Sequence, residues 1–105
     1  IAVEHENSAK DWLDEVIKLS HICCPLRVVI GYVPMEQRPF GDIERLAYVT
    51  TAIKQLKCKD NLKIGSFMII LGNSNTKNKK ENFFNYNAYI LNPDNLNFES
   101  LDNYT

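Results

Sequence analysis

The segment Val3-Glu4-His5-Glu6-Asn7 holds the first side chains that could do chemistry. Strand alternation places Glu4 and Glu6 on one face, about 7 Å apart along the chain. Two carboxylates held that close beside an apolar core repel each other and lose hydration. Water, a basic partner, a shared proton or a divalent cation has to offset this. The plainer expectation is a solvated edge strand. The sharper one is a metal-binding acid pair at the carboxyl end of a parallel strand, where open α/β sheets bind ligands.

Other reactive residue types are more dispersed. His5 falls with Ile1 and Val3 on the face opposite the acids, and is expected to be a hydrogen-bonded core histidine. His21 falls at the end of a helical stretch, where a positive end suits the helix dipole. The run His21-Ile22-Cys23-Cys24 lacks the second ligand pair that zinc needs. Three cysteines, Cys23, Cys24 and Cys58, cannot pair off internally. They point to a reducing, intracellular setting, and the expected location is cytoplasmic. No Gly-x-Ser-x-Gly elbow occurs, and the four glycines are not clustered into a phosphate-cradling loop. Serine hydrolase, nucleotide hydrolase and dinucleotide chemistry are therefore disfavoured. Lys77, Lys79 and Lys80 lie in a polar stretch over 72–82, placed to meet a nucleic-acid backbone. No aromatic residues alternate with them, so base stacking is not indicated there.

The elements that must position these residues are read from periodicity. Residues 1–6 alternate as a strand. Trp12, Leu13, Val16, Ile17 and Leu19 mark one stripe of a helix over about 9–22, with Asp11, Asp14 and Lys18 opposite, and Pro25 beyond its end. Ser8 and Asp11 form a weak capping pattern at its start. Residues 26–33 are apolar on both faces, as an interior parallel strand is. Asp42 is placed to cap a second helix over about 43–58, whose buried stripe is Ile43, Leu46, Ala47, Thr50, Ile53 and Leu56. Strands over 66–71 and 83–91 follow, then a tail in which Leu96, Phe98 and Leu101 tuck back on the body. The expected fold is α/β, with a mixed sheet in β-α-β-α-β-β order: three parallel strands and an antiparallel C-terminal hairpin strand, helices packing on the sheet.

The 105 residues suit one domain over 1–105, and 45% hydrophobic with 24% charged residues argues against general disorder. A formal net charge of -1 excludes a surface that is basic throughout, although not a local basic patch. The longest apolar run, 67–71, is far short of the roughly 20 residues a bilayer span needs, so no membrane partner is expected. The first ten residues lack the basic head and apolar stretch of a secretory leader.

A strand ending in an acid-x-acid pair, then an amphipathic helix, then a buried parallel strand resembles the second half of a PD-(D/E)XK nuclease core, the restriction-endonuclease-like fold. The match covers residues 1–33. The resemblance implies metal-dependent phosphodiester hydrolysis on nucleic acid, DNA in the first place, with magnesium as cofactor. Glu4 takes the place of the acidic metal ligand, and Glu6 stands at the lysine position. In some members a lysine or acid of the following helix substitutes, which designates Lys18 and Glu15. The implied catalytic set is Glu4, Glu6 and Lys18, with Glu4 and Glu6 holding metal and Lys77, Lys79 and Lys80 placing the backbone. The family's other aspartate lies on a preceding strand, which would fall upstream of Ile1. The resemblance therefore implies an incomplete core of a larger nuclease-like protein or an inactive relative. The alternative is a non-catalytic α/β protein-interaction module from a larger protein. An exposed sheet edge would let either form pair with a second copy.

Overall fold

A computed structural model describes residues 1–6, 12–38, 40–57, 59–74 and 86–101. Its elements are β1 (Ala2–His5), α1 (Trp12–Ser20), β2 (Leu26–Pro34), α2 (Phe40–Lys54), β3 (Ser66–Ser74), β4 (Asn87–Leu91) and β5 (Phe98–Ser100). Short 3-10 turns over Met35–Gln37 and Lys59–Lys63 flank α2. The five strands form one mixed sheet in the order β1-β2-β3-β4-β5. β1, β2 and β3 are parallel; β4 runs antiparallel to β3, and β5 antiparallel to β4. The expected tail thus contributes a fifth strand. It was missed because only three residues pair, too few for an alternation to be read. The Ser8–Asp11 capping pattern, residues 83–85 and Cys58 lie outside the described residues.

Both helices pack on the same side of the sheet and touch each other. The core lies between them and one sheet face: Val29 and Val33 of β2, Phe67, Ile69 and Leu71 of β3, and Tyr89 and Leu91 of β4, covered by Trp12, Val16 and Leu19 of α1 and Leu46, Val49 and Ile53 of α2. Gly31 belongs to this face, and Trp12 lies directly over it: a Cβ there would sit 2.6 Å from the indole Cγ. Gly65 holds φ at +73°, against the Cys24 and Pro25 carbonyls, in the turn that delivers β3. The opposite face carries Val28, Ile30, Met68, Ile70, Ala88 and Ile90, all half-buried, and no helix covers it among the described residues. β2 is apolar on both faces, as expected, yet only one of them is sealed. No described helix is long and apolar enough to cross a membrane.

Helix α2 departs from expectation in phase. Its buried stripe is Asp42, Leu46, Val49 and Ile53, while Ile43 and Ala47, placed inside by the sequence, face outward and Thr50 is half-buried. The helix also begins at Phe40, so Asp42 lies in its first turn and does not precede it as a cap. The cause is electrostatic. Arg38 donates from Nε to Asp42 Oδ1 and from Nη2 to Oδ2, both at 3.0 Å, and the Tyr89 hydroxyl donates to Oδ2 at 2.8 Å. Arg38 also donates to the Asn73 side-chain oxygen at 2.6 Å and to the Leu71 carbonyl at 3.0 Å. A carboxylate this well satisfied tolerates burial, and it turns the helix so that i, i+4, i+7 and i+11 from Asp42 point inward.

A second buried cation was equally unexpected. Arg27 is fully buried in β2 with no carboxylate partner among the described residues. It donates to the Ile64 carbonyl at 2.6 Å, and its guanidinium carbon lies 5.1 Å from the Phe67 ring centroid. Burial holds its proton affinity below the usual arginine range.

These two arginines should respond differently to mutation. Arg38→Met strands the buried Asp42 charge and should cost about 3–5 kcal/mol in urea unfolding. Arg27→Met strands mainly the Ile64 carbonyl and should cost about 1–3 kcal/mol. Equal losses, or the reverse order, would show that Asp42 does not set the register of α2.

Candidate functional site

In β1, Glu4 pairs in register with Val29, whose side chain is in the core, so Glu4 points to the face that the helices cover. Ala2, Glu4 and Glu6 are half-buried there, while Ile1, Val3 and His5 on the other face are exposed. The sequence expectation of a core side carrying Ile1, Val3 and His5 is thus inverted. Apolar character alone could not reveal it, because the side holding both helices is a property of the whole sheet. β1 pairing reaches one residue past the strand, where the Glu6 backbone N donates to the Ile30 carbonyl at 3.0 Å.

Helix α1 brings two charged side chains to Glu4. Lys18 Nζ lies 3.2 Å from Glu4 Oε1 and 3.7 Å from Glu15 Oε2. Glu15 and Lys18 are three residues apart, so they share one flank of the helix. Lys18 itself is 59% exposed, whereas the Glu15 Oε2 atom is shut off from solvent and accepts no hydrogen bond. The hydrogen bond and charge of Glu4, then the charge of Glu15, push the Lys18 ammonium above the usual lysine value of 10.5. Lys18 is therefore a cation at neutral pH. It can donate hydrogen bonds and compensate negative charge, and it cannot serve as a base.

Of the sequence-designated set, the structure unites Glu4, Glu15 and Lys18. Glu6 shares the face of Glu4, one strand repeat further along. Lys77, Lys79 and Lys80 lie outside the described residues. Among the described residues, no group of three or more histidine, cysteine, aspartate or glutamate side chains converges as a metal cage. Magnesium does not require one, since it commonly takes one or two carboxylates and completes its shell with water and phosphate.

Two further polar clusters flank this arrangement. His5 Nε2 meets the Tyr32 hydroxyl at 2.7 Å on the open face, with the rings 5.5 Å apart, and Tyr32 packs edge-on to Tyr86 at 6.4 Å. His5 is thus hydrogen-bonded as expected but exposed, not in the core. Burial, then the hydrogen bond with Tyr86, pushes the Tyr32 phenol up. His21 Nδ1 donates to the Ile17 carbonyl at 2.9 Å, satisfying a terminal carbonyl of α1. Cys23 and Cys24 are both free thiols. The Arg38–Asp42–Tyr89 cluster, which the sequence reading missed, is engaged internally and, through Arg38, with Asn73 and Leu71, and serves structure. Its one sequence signal was Arg38 four residues before Asp42, at helical spacing.

The fold and site define an α/β protein whose first strand and first helix present two carboxylates around one ammonium group. No protein-family model, curated protein or solved structure matches the chain.

The Lys18 assignment is directly measurable. A 13Cε titration of Lys18 should give a midpoint above 10.5, returning toward it in Glu4→Gln. Lys18 and Tyr89 both bind their protons more tightly folded than unfolded, Tyr89 because of burial and Asp42. Their contribution to stability is complete below the unfolded values of about 10 and is lost as pH rises through the folded ones. Melting temperature should accordingly fall above about pH 10. A flat alkaline limb with an unshifted Lys18 would mean that the ion pair does not persist in solution.

Proposed function

We propose that the chain is a nuclease-like domain that hydrolyses phosphodiesters with the help of a divalent cation, with DNA as the substrate the family resemblance implies. The observation that carries this reading is the meeting of Glu4, Glu15 and Lys18 across β1 and α1, with one Glu15 oxygen buried and without a hydrogen bond. That oxygen, with the Lys18 ammonium 3.7 Å away, would suit a further cation as partner. Glu4 and Glu15 would hold the metal, with Glu6 beside them on the same strand face. When bound, magnesium supplies a water of lowered pKa and charge compensation for the phosphoryl oxygens.

The chain's own residues do the rest. Glu4 and Glu15 would hold the cation and so orient a phosphate bound to it. Lys18, held protonated, donates to a phosphoryl oxygen or orients the attacking water, and its exposure lets it turn from the carboxylates to a substrate. Lys77, Lys79 and Lys80 are proposed to hold neighbouring phosphates.

Isothermal titration with magnesium and manganese, paired with nicking of supercoiled DNA, tests the proposal. Glu4→Gln and Glu15→Gln should abolish the binding heat, and Lys18→Met should retain it while slowing cleavage by about 100-fold or more. Identical weak heats for all four proteins would end this reading.

One observation favours the alternative of a non-catalytic interaction module. The uncovered sheet face of Val28, Ile30, Met68, Ile70 and Ile90 is the kind of surface proteins bury against a partner. Among the described residues β1 and β5 each pair on one side only, so pairing with a second copy through a sheet edge belongs to the same reading.

A further inference from the structure

Between α2 and the β4–β5 pair, on the helix side of the sheet, lies a cleft of about 560 Å³. It exists because two features coincide. Burial of Asp42 turns Ile43 and Ala47 outward from α2. β4 and β5 also extend the sheet past β3, beyond the last crossover helix, so that Tyr89 and Phe98 are met on this side by the flank of α2. Phe98 is fixed as a wall by an edge-on contact with Phe67, with centroids 5.8 Å apart.

The lining is chemically specific. It contains no charged side chain. Behind it Arg38 and Asp42 neutralise each other at 3.0 Å, and the phenol of Tyr89 is held protonated by burial and then by its bond to Asp42. Yet the cleft is not purely apolar. Thr50, Asn87, Asn97 and Ser100, with their hydroxyl and amide side chains, are among its lining residues. These groups supply both donors and acceptors against an aliphatic and aromatic floor.

We propose that this cleft binds an uncharged small molecule with an apolar body and a hydrogen-bonding edge. The volume is in the range of small-molecule sites, and the lining has their usual character of an apolar surface with a few convergent polar groups. A charged ligand would leave water for a surface with no opposite charge to receive it. The site lies at β4–β5, at the other end of the sheet from Glu4 on β1, so it stands independently of the phosphodiesterase reading.

Fluorescence titration with two probes of similar shape tests the assignment on the full chain. N-phenyl-1-naphthylamine is uncharged and carries one N–H donor; 8-anilinonaphthalene-1-sulfonate adds a negative charge. The uncharged probe should saturate at one site, with the sulfonate at least about tenfold weaker. Ala47→Trp should fill the cleft and weaken the uncharged probe by about tenfold or more, while Lys54→Ser, outside the lining, leaves it unchanged. Ala47 and Lys54 are both exposed, so neither change touches the buried stripe of α2. Ile43→Trp, also at an exposed position, is the second filling variant should Ala47→Trp fail to fold. Non-saturable binding, equal affinity for the two probes, or undiminished binding in the folded filling variant would overturn the proposal. So would a dimer in light scattering that Ala47→Trp dissociates, because the cleft would then belong to a second copy of the chain.

Discussion

The structure depends first on where one carboxylate can be buried. Asp42 is completely shielded from solvent, and an ionised carboxylate in that position is tolerable only because Arg38 grips both of its oxygens and Tyr89 donates to one. The three residues come from the segment after β2, the first turn of α2, and β4. Their meeting fixes the rotation of α2, the arrival of the chain from β2, and the placement of β4 beside β3. Arg38 extends the same constraint to Asn73 and Leu71 at the end of β3. A helix of ordinary amphipathicity could rotate by a fraction of a turn at little cost. This one cannot, since rotation would withdraw a charge from its partners into an apolar environment.

The outward stripe of α2 is the consequence. Once Asp42, Leu46, Val49 and Ile53 are committed to the core, Ile43 and Ala47 have no place there. They border the cleft with Phe98 and Tyr89 because the sheet continues two strands beyond the last crossover helix. Surface that would be anomalous on an isolated helix becomes one wall of a recess.

At the opposite end of the sheet the governing effect is geometric. Two successive crossovers leave α1 and α2 on one side of the sheet, so the β1 face carrying Glu4 and Glu6 is the covered one. Acids beside a helix need compensation, and Lys18 supplies it at 3.2 Å from Glu4. The same contact raises the proton affinity of Lys18, which suits that side chain to charge compensation and hydrogen-bond donation. The mutual attraction is weakened by solvent, because the ammonium is largely exposed. That weakness leaves Lys18 able to exchange Glu4 for another anion.

Local pattern was enough for every element with a sustained period. Trp12, Val16 and Leu19 announce α1, the alternation of residues 1–6 announces β1, and the apolar runs announce β2 and β3, because burial on one face imposes the period directly on residue types. The α/β class followed from their order, and the candidacy of Glu4 and Glu6 from their types and spacing; Glu15 and Lys18 were designated only by the family resemblance. What periodicity cannot carry is the identity of a contact across the chain. Whether Glu4 faces a helix or water depends on the side to which both crossovers turn. Whether Asp42 caps a helix or anchors it inside depends on Tyr89, forty-seven residues away. A strand as short as β5 exists only because β4 is beside it to pair with. These were decided by long-range hydrogen bonding and by desolvation of charge, which act between residues that have no fixed relation along the sequence.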